Sequence, residues 1–164
     1  MMGGMDANSR TLVIGLGNPI LRDDSIGLRV VRALRDELAG VVDVELAEDF
    51  QGGLRLMERL VGFERAIVVD AIVTGAAPGT LHVLSVDGGS TQRSASAHDV
   101  DLPTALALGR RAGARLPEAE NILLVGIEAE DVLHFGEQLS PAVEAAVPQA
   151  VGLILAHLKD EREA

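Results

Sequence analysis

The stretch Thr11-Leu12-Val13-Ile14-Gly15-Leu16-Gly17-Asn18-Pro19-Ile20-Leu21-Arg22-Asp23-Asp24 decides how this chain folds. Its first six residues form a short apolar run closed by Gly17 and Asn18, the pattern of a strand buried on both faces. From residue 24 to residue 39 the spacing turns helical. Ile26, Val30, Leu34 and Leu38 recur every four positions with Val31 beside them, while Arg29, Arg32, Arg35 and Asp36 fall elsewhere on the surface. Asp23, Asp24 and Ser25 supply N-cap chemistry at the start of this helix, and Gly40 suits its end. A buried strand, a glycine loop and an amphipathic helix make the opening unit of an α/β protein.

The same alternation continues. A second strand is expected at about 41–46, then a short helix near 53–60 after Gly52 and Gly53. Residues 65–70 and 80–86 give a third and a fourth strand, the latter entered through Ala77-Pro78-Gly79. Residues 87–99 have no period and are rich in Gly, Ser and Thr, so they are expected to form a loop. A helix at about 101–113 starts with Asp101 and has Pro103 in its first turn. Residues 121–127 give a fifth strand. The last helix opens at Ser140-Pro141 and places Val143, Val147, Val151, Ile154, Leu155 and Leu158 on one face. Pro148 inside that pattern predicts a kink or a split. Alternating strands and helices predict a three-layer αβα sandwich on a mostly parallel five-stranded twisted sheet. The expected organisation is a flexible N-terminal segment over residues 1–10 and one domain over 11–160, without internal repeats.

Composition narrows the function. The 164 residues carry a formal charge of −11 and only 2 % aromatic residues, with no Trp or Tyr. Both facts argue against a nucleic-acid ligand, which calls for a basic stripe or stacking platforms. The absence of cysteine excludes disulfides, thiolate nucleophiles and thiolate metal sites. The N-terminus has no hydrophobic signal region, and uninterrupted apolar runs fall far short of a membrane span. A soluble cytoplasmic protein with no membrane partner is expected.

Three residues stand out. In a parallel sheet, the loops leaving the carboxyl ends of neighbouring strands share one crevice. Asp24 follows the first strand, Asp70 ends the apolar run Arg65-Ala66-Ile67-Val68-Val69-Asp70, and His98 lies in the polar segment Ser94-Ala95-Ser96-Ala97-His98-Asp99. Two carboxylates and an imidazole meeting there would form a metal site or an acid/base site. Each has a plainer explanation. Asp23 and Asp24 suit a helix cap, where only one of two adjacent residues caps well and the other is free to face the crevice; the sequence does not say which. Asp70 must be solvated or paired where it ends its strand. His82, His134 and His157 fit packed or surface positions. Gly15-Leu16-Gly17-Asn18 is an incomplete dinucleotide fingerprint, since its third glycine would fall at Ile20, and an acidic ribose partner is matched only loosely by Glu45 or Glu48. A tight turn with close backbone packing accounts for those glycines.

Taken together these residues resemble the maturation endopeptidases of nickel–iron hydrogenases over nearly the whole chain, from Thr11 to about Leu158. The resemblance rests on three blocks in order: Gly15-Leu16-Gly17-Asn18 leading through Asp23-Asp24 to Ile26-Gly27, Val68-Val69-Asp70-Ala71 with Pro78-Gly79-Thr80, and Ala97-His98-Asp99 before Leu102. It implies a phosphorylase/hydrolase-like αβα fold and an aspartic-type or metal-assisted peptidase. The implied activity removes a C-terminal extension from a hydrogenase large-subunit precursor once nickel is in place. Asp24, Asp70 and His98 would contact nickel, which belongs to the substrate; Asp24 or Asp70 would serve catalysis, with Gly17, Asn18 and Asp23 as the supporting loop. Asp24 is shorter by one methylene than the Glu that relatives often carry there, and Ala95-Ser96-Ala97-His98 replaces the usual run before the histidine. No organic cofactor is implied, and the protein is expected to act as a monomer. A nickel- or precursor-binding chaperone without proteolysis is a second reading. A peptidyl-tRNA hydrolase, which shares Gly15-Leu16-Gly17-Asn18-Pro19, is disfavoured by the acidic charge and the lack of a nearby histidine.

Overall fold

A computed structural model describes residues 10–86 and 101–163. Five strands form one sheet: β1 (Thr11–Leu16), β2 (Val44–Asp49), β3 (Arg65–Ile72), β4 (Leu81–Ser85) and β5 (Ile122–Glu128). Their order is β2-β1-β3-β5-β4. The first four in that order run parallel, and β4 joins β5 antiparallel at the edge. Among the described residues, four α-helices flank the sheet: α1 (Ile26–Glu37), α2 (Gly53–Leu60), α3 (Leu102–Arg111) and α4 (Pro141–Glu163).

Side chains alternate across each strand, so the sheet supplies two cores. Val13, Ile67, Val69, Ala71, Val125 and Ile127 face the layer of α1 and α4. Leu12, Ile14, Val68, Ile122 and Leu124 face the layer that includes α2 and α3. With almost no aromatic side chains, both cores are filled by Val, Leu, Ile and Ala. The expected αβα sandwich on a mostly parallel sheet is the observed one. Residues 87–100, and with them the expected loop at 87–99 and His98, lie outside the described residues, as does most of the expected N-terminal segment 1–10.

Some expectations shift. β2 occupies Val44–Asp49 instead of 41–46, because its register is set by β1: Thr11 pairs with Val44 and Leu16 with Asp49. Asp23–Ser25 form a 3₁₀ turn ahead of α1, whose N-cap, Ser25, makes no side-chain cap bond. Pro148 does not split α4, which is helical from Pro141 to Glu163. The proline removes the bond that would reach the Glu144 carbonyl, and both residues lie on the exposed side of the helix, where water can satisfy that carbonyl. α4 is also long and apolar enough, by length and composition, to cross a membrane. Here its buried Val143, Ala146, Ala150, Ile154 and Leu158 are spent on the core against the sheet and α1.

The tightest joint is between α1 and the sheet. A Cβ on Gly27 would lie 2.4 Å from both the Leu16 and the Val69 carbonyl oxygens, and one on Gly15 would lie 2.1 Å from the Gly27 carbonyl oxygen. The first turn of α1 therefore rests directly on the backbones of β1 and β3. No L side chain fits between them, and both obstacles are backbone. Gly27→Ala is expected to destabilise the protein by about 2–3 kcal/mol through overpacking, read as a lowered urea midpoint at constant slope; Gly152→Ala, where a Cβ would meet open space, is the matched control.

Candidate active site at the sheet switch point

The chain leaves β1 through α1 toward β2 at one edge and leaves β3 toward β4 at the opposite edge, so the connections diverge between the adjacent strands β1 and β3. Crevices at such a switch point are where α/β sheets hold ligands. Both described candidates lie there. Asp24 sits in the 3₁₀ turn that follows the β1 loop, and that turn packs on β3. Asp70 lies in β3, immediately after Val69, whose carbonyl touches the start of α1. Both are nearly buried.

The loop that delivers Asp24 is built without slack. Gly17 has φ +152°, and a Cβ there would meet the Asp24 carbonyl oxygen at 2.0 Å. Asp24 Oδ2 accepts a hydrogen bond from the Asn18 amide at 3.0 Å, and Asn18 Oδ1 accepts one from the Ile20 amide at 3.1 Å. Gly17 and Asn18 thus shape the loop around the Asp24 carboxylate, and Gly15 has a packing role at the α1 joint. Neither Glu45 nor Glu48 is held ready for a ribose: Glu45 pairs with Arg10, and Glu48 with Arg32 and Arg35.

The adjacent acidic residues have different tasks. Asp24 belongs to the crevice. Asp23 is fully buried and does not cap α1; it reaches across to the segment between β5 and α4. Its carboxylate accepts from the amides of Glu130 (3.0 Å), Asp131 (2.8 Å) and Ser140 (2.7 Å) and from the Ser140 hydroxyl (2.8 Å). Four donors on one buried carboxylate satisfy the charge that burial would otherwise penalise. Arg22 adds bonds to the Gln138 carbonyl and the Asp131 carboxylate, and Leu21 forms a β-bridge with Phe135. The β1 loop and the β5–α4 loop are therefore fastened together, with Asp24 next to the fastening.

A second polar group lies near the crevice. Asp70, Gly126 and His82 occupy one row across β3, β5 and β4. A Cβ on Gly126 would meet Ile72 Cγ2 at 2.3 Å, so the Ile72 side chain fills the space over Gly126, in the row between Asp70 and His82. His82 turns to Glu128 instead, its Nε2 lying 3.2 Å from Oε1. Glu128 also accepts from the Thr74 amide at 2.8 Å and from the Thr74 hydroxyl. Burial works against its charge, but the Thr74 hydroxyl and amide, with His82, more than offset it and hold Glu128 below the ordinary Glu range. Sequence reasoning passed over this cluster: Glu128 ends β5, whereas Asp70, expected to end its strand, lies two residues inside β3, which continues through Ala71 and Ile72. His134 is exposed and pairs with Asp131, and His157 pairs with Glu161 on α4, both at the surface as expected. Among the described residues, no three His, Asp or Glu side chains gather closely enough to hold a metal ion. The expected trio includes His98, which is not among them.

Fold and crevice together define an αβα-sandwich protein with two acidic residues, Asp24 and Asp70, at its switch point. A model of the hydrogenase maturation protease family matches residues 28–157. The chain is 33 % identical over 156 residues to the hydrogenase 2 maturation protease of Escherichia coli (strain K12), spanning 92 % of each. Its fold is similar to the solution structure of an endopeptidase from Escherichia coli, with TM-score 0.76, 30 % identity and 93 % of both chains covered. It is also similar to the hydrogenase maturating endopeptidase HybD from E. coli, with TM-score 0.72, 28 % identity and the same coverage. This chain belongs to the hydrogenase maturation protease family.

Two outcomes test the site's supports. Asp23→Ala strands three amides and a hydroxyl, the amide and hydroxyl of Ser140 among them buried, and is expected to cost about 3 kcal/mol; Asp23→Asn, which keeps one acceptor oxygen, should cost less, and equilibrium unfolding in urea ranks them. Glu128, held below its usual range, stabilises the fold above the ordinary Glu value, and that contribution is lost as pH falls through the lower folded value. The slope of stability against pH on the acid side should therefore be shallower in Glu128→Gln than in the parent chain.

Proposed function

We propose that this protein is the endopeptidase that removes the C-terminal extension of a nickel–iron hydrogenase large-subunit precursor after nickel has been inserted. The observation that carries this reading is the pairing of family membership with the position of Asp24 and Asp70, two acidic residues set by rigid backbone at one switch-point crevice. His98 completes the proposed set. Two oxygens and one imidazole nitrogen suit a borderline divalent cation such as nickel. The nickel is the substrate's own, and its contact with the trio reports that insertion is complete.

The chemistry is hydrolysis by water. The chain has no cysteine and no G-x-S-x-G nucleophile elbow, so no acyl-enzyme is called for. One of the two carboxylates, Asp24 or Asp70, takes a proton from a water as its oxygen attacks the scissile carbonyl carbon. Collapse of the tetrahedral intermediate breaks the C–N bond and returns that proton to the leaving amine. The products are a new C-terminal carboxylate on the mature subunit and a released peptide. The enzyme works as a cytoplasmic monomer that binds its precursor transiently.

The test is cleavage of a purified nickel-loaded precursor beside its nickel-free form, followed by mass spectrometry of the C-terminal peptide. Cleavage of the loaded form alone is expected. Asp24→Ala, Asp70→Ala and His98→Ala should each slow it at least about 100-fold. Chelator treatment of the enzyme alone should leave the rate unchanged, whereas stripping nickel from the precursor should abolish it. Tight binding without cleavage would place the protein among maturation chaperones instead.

A further inference from the structure

The chain spends its few aromatic residues unusually. Of three phenylalanines and no other aromatics, two are exposed: Phe50 at 63 % and Phe135 at 78 %. Both lie at the carboxyl end of the parallel strands, where the crevice is. Phe50 follows β2 directly and leads into α2, whose layer covers one face of the sheet. Phe135 lies between β5 and α4, whose layer covers the other. Ile20 after β1, Val73 after β3 and Leu133 after β5 are exposed at the same end. Every loop leaving a parallel strand there thus presents a large apolar side chain to solvent. Scattered apolar residues need no explanation, but this concentration around one crevice marks an interaction surface.

The backbone under both phenylalanines is fixed. The Phe50 amide donates to Asp49 Oδ1 at 2.8 Å, and Asp49 is clamped by Arg55 Nε at 3.1 and 3.0 Å. Phe135 bridges to Leu21, flanked by bonds from the Arg22 amide to the His134 carbonyl and from the Gly136 amide to the Ile20 carbonyl. The turn before it is closed by Asp131, whose carboxylate accepts from the Leu133 and His134 amides and pairs with the His134 ring. Aromatic anchors on pre-set backbone lose little entropy when they dock.

We infer that Phe50 and Phe135 are the two anchors that grip the large-subunit precursor on either side of the crevice, in apolar segments flanking the scissile bond. The inference rests on the function proposed above and names the surface that function would use. Charge selects this occupant over a second copy of the chain. β1 and β3, which lead to Asp24 and carry Asp70, lie between β2 and β5, which lead to Phe50 and Phe135, and the protein carries a net charge of −11. Two such surfaces repel each other face to face, whereas an apolar segment beside a cationic metal centre is complementary to both the carboxylates and the rim.

The test is steady-state cleavage of nickel-loaded precursor by Phe50→Ser and Phe135→Ser, with Val42→Ser as a control because Val42 is even more exposed but lies at the opposite end of the sheet. Each Phe variant is expected to raise KM about 10-fold or more while kcat stays within about twofold, with Phe→Leu at either position recovering most of the loss. Circular dichroism should be unchanged, since neither ring is in a core. An unchanged KM in both Ser variants, with the parent chain cleaving normally, overturns the anchors and leaves the proposed function standing. Binding of precursor by the parent chain without cleavage, lost in the Ser variants, keeps the anchors and overturns the peptidase. A parent chain that sediments as a dimer, made monomeric by the Ser variants at unchanged KM, assigns the rim to self-association and overturns the inference. Failure of the parent chain to bind any precursor overturns both.

Discussion

Backbone-to-backbone contact between α1 and the ends of β1 and β3 is the constraint on which the rest of the structure depends. Gly15, Gly17 and Gly27 are small because the carbonyl oxygens of Gly27, Asp24, Leu16 and Val69 occupy the places their Cβ atoms would take. Close approach at this joint fixes where the helix begins, and so where the turn holding Asp24 lies relative to the strand holding Asp70. A pair of acidic side chains on flexible loops would have to be ordered by each substrate anew. Here that ordering is built into the packing of main chain on main chain.

The neighbouring acidic residues show how one short motif divides its labour. Asp23 faces inward and gathers four donors from a segment more than a hundred residues away, while Asp24 faces the crevice and receives the Asn18 amide. Two adjacent carboxylates in one turn would repel each other if both faced the same cavity. Directing one into a fully hydrogen-bonded pocket and the other to the crevice keeps the two charges apart. The Glu128–Thr74–His82 cluster follows a similar logic: a strand-end carboxylate whose oxygens are taken up by the β3–β4 loop and the edge strand.

Much of this was legible in the sequence because it rests on local patterns. Short apolar runs and four-residue helical steps give the αβα alternation, and α2 lies where its flanking glycines put it, at Gly53–Leu60. What was not legible depends on partners remote in the chain. The position of β2 follows from its register with β1, not from its own mixed composition. The role of Asp23 requires Glu130, Asp131 and Ser140 to be brought to it, and no spacing within residues 17–25 announces that. The harmlessness of Pro148 depends on which side of α4 meets water. Phe50 and Phe135 read as ordinary apolar residues until the loops carrying them are seen at the same end of the sheet.

The span of the Asp23 clamp also sets an order in time. Its four donors come from residues 130, 131 and 140, so a chain emerging from the ribosome carries Asp24 and Asp70 long before it carries the segment that shapes the crevice around them. Until that last stretch is made and docked, the carboxylate of Asp23 has no buried pocket to enter, and the β1 loop has nothing to fasten to. Proteolytic competence is thereby tied to completion of the fold. A half-made molecule holds the acidic residues without the segment that fastens the loop around them.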